Sequence, residues 1–92
     1  MALYYLSFCD PGSWRGAAFM EAGNVVDAQK LADESGVNPG GHELEVLAFQ
    51  YDSLDEVPPI PAPMRNRLLT AEELLKLWPD AKDLMTFEDH CA

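Results

Sequence analysis

The stretch GVNPGGHELEVLAFQY, from Gly36 to Tyr51, decides how this chain is put together. Its first half is a turn. Pro39 and Gly40 suit the second and third positions of a type II turn, and Asn38, standing before proline, is kept out of the helical region. Its second half is a strand, ELEVLAFQY, whose two faces carry Leu44/Val46/Ala48 and Leu47/Phe49/Tyr51. Both faces are apolar toward the end, so the strand is either central in its sheet or has something covering its second side.

Working outward from there, residues 25–35 (VVDAQKLADES) place Val25, Ala28, Leu31 and Ala32 on one stripe of a helix, with charged residues largely opposite. Asn24 is a good N-cap, with Asp27 in the first turn, and Gly36 fits the left-handed position that ends a helix. Upstream, residues 2–9 (ALYYLSFC) alternate between two faces, one with Tyr4, Leu6 and Phe8 and the other with Leu3, Tyr5 and Ser7. Asp10-Pro11-Gly12-Ser13 is a turn, and RGAAFMEAG follows as a second strand, making a hairpin with a somewhat long loop. Right-handed crossover from the helix then favours placing the third strand beside the first. The expected fold is α+β: a small ββαβ antiparallel or mixed three-stranded sheet in the order 2-1-3, with one packed helix.

After Tyr51 the character changes. DSLDEVPPIPAP is acidic and then proline-rich, with four prolines between positions 58 and 63, and it reads as an extended connector. Thr70-Ala71-Glu72-Glu73 is a capping box opening the helix AEELLKLW, which Pro79 stops. Leu68, Leu74, Leu75, Leu77 and Trp78 form a stripe for core or oligomer packing. Residues 1–52 are thus read as the ββαβ core, 53–64 as the connector and 65–92 as a C-terminal helical segment, all one domain.

The 92 residues carry sixteen acidic and six basic side chains, a net charge of −10. Such a surface repels phosphate backbones and anionic membranes, and it suits either solubility or docking onto a basic surface of another protein. With 48% apolar residues the core is real but thin, which makes a homo-oligomer a reasonable expectation. Cys9 and Cys91 lie at opposite ends without metal-ligand spacing to His42 or His90, so no metal or other cofactor is expected and free thiols in a reducing cytoplasm are. The first strand lacks a preceding basic region and ends early at Asp10-Pro11-Gly12, unlike a secretion signal.

Three clusters are candidates for binding. Trp14 and Arg15, in the hairpin, can stack on a base and pair with a phosphate, or cap a small core. Asn38, Gly40, Gly41 and His42 offer bare backbone N–H groups for an anion, or simply turn the chain. Arg65 and Arg67 can close over an anion, or pair with neighbouring carboxylates. No Ser/His/Asp set, carboxylate pair or phosphate loop is present, and His42 and Glu43 point to opposite faces of a strand, so an enzyme is not expected.

The segments W-R-G at Trp14 to Gly16, G-V-N-P-G-G-H-E at Gly36 to Glu43, and R-N-R-L-L-T-A-E-E-L at Arg65 to Leu74 resemble a group of short phage and prophage proteins. His42 departs from that pattern, where an acidic residue is expected directly after the glycines. The resemblance spans most of the chain and implies a viral accessory protein acting in the cytoplasm of an infected bacterium. It leads to two expectations. In the first, a non-enzymatic anti-defence protein sequesters a nucleotide-derived immune signal through the three clusters. In the second, an acidic inhibitor mimics nucleic acid and occupies a basic groove of a host defence complex, such as a CRISPR effector or a nuclease.

Overall fold

A computed structural model of the chain describes residues 2–10, 13–39, 45–54 and 57–81. Strand β1 (Ala2–Asp10) pairs antiparallel with β2 (Ser13–Ala22) on one side and with β3 (Glu45–Gln50) on the other, in the order β2-β1-β3. The α+β ββαβ arrangement is therefore as the sequence reads. The hairpin is tighter than expected. Asp10 already pairs with Ser13, so only Pro11 and Gly12, outside the described residues, separate the strands. A bulge between Phe8 and Cys9 leaves Arg15 as the extra residue on β2, between Gly16 and Trp14.

Alternation along β1 feeds two cores. Tyr4, Leu6 and Phe8 meet Ala18 and Met20 of β2 beneath helix α1 (Val25–Glu34). That helix approaches closely because its contact line is small: Ala28 and Ala32 are fully buried. Asn24 caps it, its side chain accepting from the Asp27 N–H at 2.9 Å, and Gly36 ends it at φ +79°. Leu31, expected on the buried stripe, is exposed, because the helix rolls onto its alanines.

The opposite face of the sheet is aromatic. Tyr5, Phe19, Phe49 and Tyr51 surround Trp78, with ring centroids 5.5 Å from Tyr5 and 4.9 Å from Tyr51 in edge-to-face contacts. Trp78 caps the C-terminal end of helix α2 (Ala71–Leu77), which begins with the expected capping box between Thr70 and Glu73. Tyr51 does not extend β3; it opens a 3-10 turn over Tyr51–Ser53 and buries its ring, while its hydroxyl donates to the Pro58 carbonyl at 2.7 Å. The proline-rich segment is thus part of this second layer, with Ile60 buried in it. The two-faced apolar strand is explained by cover on both sides: β3 is an edge, not the centre.

The basic segment after the prolines is pinned rather than loose. Ala17 and Leu69 exchange backbone hydrogen bonds at 3.2 and 2.7 Å, and the Asn66 N–H donates to the Phe19 carbonyl at 2.8 Å. Asn66 adopts a left-handed backbone, φ 58°, and its side-chain oxygen accepts from the Glu21 N–H. This closes the outer edge of β2.

Cys9 corrects the expectation of free thiols: it is buried and disulfide-bonded. Cys91 lies outside the described residues. Among the described residues no helix is long and apolar enough to cross a membrane.

Candidate functional site

A cleft of about 420 Å³ opens where the proline-rich segment crosses the start of β1 and the end of β2. Its walls are Leu3, Pro58 and Ile60, and its rim carries Glu21, Asp52 and Arg65. The size is that of a small-molecule site. Local geometry fixes each rim group. Arg65 donates from Nε to the Ile60 carbonyl at 2.8 Å, and its Nη1 stands 3.6 Å from Glu21 Oε2. Asp52 accepts from Gln50 Nε2 at 2.8 Å and from the Leu3 N–H at 3.2 Å, and these bonds hold its carboxyl below the usual carboxylate range. One guanidinium bridged to Glu21, with the Asp52 carboxylate elsewhere on the rim, makes a mixed-charge lining that is poorly matched to a polyphosphate.

A shallower groove of about 330 Å³ runs beside α1, lined by Glu21, Asp27, Lys30, Leu31 and Glu34. Glu21 belongs to both rims. Sequence reasoning missed Glu21 and Asp52, because each gains its place from a contact distant in sequence: Arg65 for the first, the Leu3 N–H for the second.

Among the described residues, the nominated side chains do not converge on one pocket. Trp14 is half-buried against the aromatic core and donates from Nε1 to the Ser7 hydroxyl at 2.8 Å, so it seals the core's end. Arg15 is exposed at the bulge. Glu21, the partner of Arg65, lies seven positions beyond Trp14 on β2, roughly 23 Å along the strand. Asn38 is buried at the end of α1, on the other face of the sheet, where its N–H donates to the Ala32 carbonyl and its side-chain amide to Asp33 at 2.7 Å. Gly40, Gly41 and His42 lie outside the described residues. Arg67 is exposed but engaged: Nη2 lies 3.1 Å from Glu73 Oε2, and Nη1 donates to the Met64 sulfur.

The electrostatic pattern is the more informative observation. Arg65, Arg67 and Lys76 are each bridged to a carboxylate, on Glu21, Glu73 and Glu72 respectively. Asp27, Glu34, Asp52 and Asp80 are exposed. Among the described residues no group of three or more His, Cys, Asp and Glu side chains is placed to hold a metal ion. Compared with family models, curated proteins and solved structures, the chain gives no match.

Proposed function

We propose that the chain is a non-enzymatic acidic binding protein that docks on the basic, nucleic-acid-binding groove of a host defence complex and occupies it in place of nucleic acid. The resemblance to phage accessory proteins supplies the setting. The observation that carries the reading is the bridging of Arg65, Arg67 and Lys76 to carboxylates, against a net charge of −10. With these cations internally neutralised, the acidic surplus attracts basic grooves over a Debye length of about 10 Å. The test is cleavage of labelled DNA by a panel of CRISPR effectors and nucleases at rising protein concentration and salt. Inhibition of at least one member, weakening about tenfold or more between 50 and 300 mM salt and weakened in an Asp27→Asn/Glu34→Gln variant that removes the exposed α1 carboxylates, is expected. Inhibition of no member, or inhibition indifferent to salt, sinks the idea.

The cleft at Arg65 favours a second reading, sequestration of a small nucleotide-derived signal. Its apolar walls can cover a base, and Arg65 can trade Glu21 for one phosphate. Calorimetry against cyclic nucleotides and ADP-ribose derivatives discriminates the two: here binding survives the removal of the α1 carboxylates and fails in Arg65→Gln.

A further inference from the structure

The two edges of the sheet are treated differently. The Leu3 N–H points toward β3's side, where it meets Asp52, and the outward groups of β2 are those of Ala17, Phe19 and Glu21. Both facts set the same alternation: odd residues of β1 bond toward β3, and even ones toward β2. Tyr5, Ser7 and Cys9 therefore engage Phe49, Leu47 and Glu45, which leaves the backbone groups of Val46 and Ala48 pointing away from the sheet. Residues 66–69 close the β2 edge, but among the described residues nothing hydrogen-bonds the outward groups of Val46 and Ala48. Only the Gln50 carbonyl is taken, by the Ser53 hydroxyl.

We infer that this open edge pairs antiparallel with the same edge of a second copy of the chain, with Leu47 on the two-fold axis. That register sets Val46 against Ala48 of the partner subunit and the reverse, and each such pair exchanges both N–H···O bonds. Large faces small at both positions, so the side chains on the α1 face fit without collision. On the other face Leu47, 38% exposed in the single chain, meets its own copy across a non-hydrogen-bonded pair about 4.5 Å wide between Cα atoms. Charge points to the same occupant. In a molecule of net charge −10, the strand EVLAFQ contains one charged residue, Glu45, and this register pairs that position with Phe49 of the partner subunit rather than with a second glutamate. An edge with no lysine, proline or bulge to discourage pairing is what a strand partner needs. Because the β2 edge is closed, association stops at two copies and gives a six-stranded sheet.

Sedimentation equilibrium on the full chain tests this. The expected result is a mass moving from 10.2 kDa to twice that value with concentration, with no larger species, and with tighter association at higher salt as like charges are screened. Ala48→Pro, which removes an outward N–H that the single chain does not use, is expected to weaken association at least tenfold, and Leu47→Glu to do the same by placing two carboxylates on the axis. Should either variant fail to fold by circular dichroism, amide exchange of the unaltered chain decides: Val46 and Ala48 must gain protection with concentration. A monomer at every concentration, a dimer that Ala48→Pro leaves intact while folded, or unlimited assembly overturns the inference.

Discussion

Gly16 sits at φ +134° in the bulge of β2, and a Cβ built there lies 2.7 Å from Leu68 Cδ1 and 3.1 Å from the Leu69 carbonyl oxygen. Both the backbone conformation and the close approach of another segment demand glycine. Gly16→Ala is expected to cost about 1–3 kcal/mol, lowering the melting temperature by roughly 5–15 °C for a chain of this size. Gly23→Ala, where nothing lies within 4 Å, serves as the control and is expected to change stability by about 0.5 kcal/mol or less. Equal melting of the two variants contradicts the strain argument. Burial acts on Tyr5 and Tyr51 instead, pushing both phenols from 10.0 up to about 12. Folding therefore favours the neutral phenol: the contribution is fully present below pH 10 and is lost as pH rises through about 12. Tyrosinate absorbance followed alongside circular dichroism is expected to show these two rings ionising only as the fold opens. Ionisation of both near pH 10 with the fold intact is the contrary outcome.

At the scale of elements, the segment from Arg65 to Thr70 does two jobs: it closes the β2 edge and delivers α2 to the aromatic face. Thr70→Ala removes the capping box and is expected to cost about 1 kcal/mol, read as a fall of roughly 4–8 °C in thermal melts. Asn66→Gly keeps the left-handed backbone and loses the side-chain bonds to Glu21, whereas Asn66→Ala loses both, so the alanine variant is expected to be the less stable by a further fraction of a kcal/mol. Elements of this kind differ in how far sequence reveals them. Asn24, Gly36 and the Thr70/Glu73 box announce helix ends because caps act over three or four residues, and their positions hold in the structure. The docking of Leu69 on Ala17 is invisible beforehand, since it joins residues 52 apart through backbone groups that every residue carries. Side-chain contacts also engage two of the nominated residues. Trp14 and Asn38 attract attention as unusual side chains in turn-rich segments, yet Trp14 serves Ser7 and the core, and Asn38 serves Asp33 and the helix end. Two further segments that stand far apart in sequence also prove to be neighbours: Trp14-Arg15-Gly16 and the segment from Arg65 to Leu74 meet at Gly16 against Leu68.

For the molecule as a whole, β1 is the shared wall. Its residues Tyr4, Leu6 and Phe8 belong to the core under α1, and Leu3 and Tyr5 to the core under Trp78. Neither layer can leave without exposing one face of the same central strand to water, at about 25 cal/mol for each Å² of apolar surface. The two cores are therefore expected to melt together. Helical circular dichroism reports mainly on α1, the longer helix, and near-ultraviolet signals from Trp14 and Trp78 report on the aromatic face, so the two probes sample opposite sides of the sheet. Coincident transitions by heat and by urea are expected, and Trp78→Ala, which deletes a ring packed against four others at a cost of about 3–5 kcal/mol, is expected to lower both together. A variant that keeps the α1 signal after the aromatic signal is lost would show that the layers are independent. In that case the cleft beneath the proline-rich segment would open without unfolding the sheet, and ligand binding at Arg65 would be governed by the second layer alone.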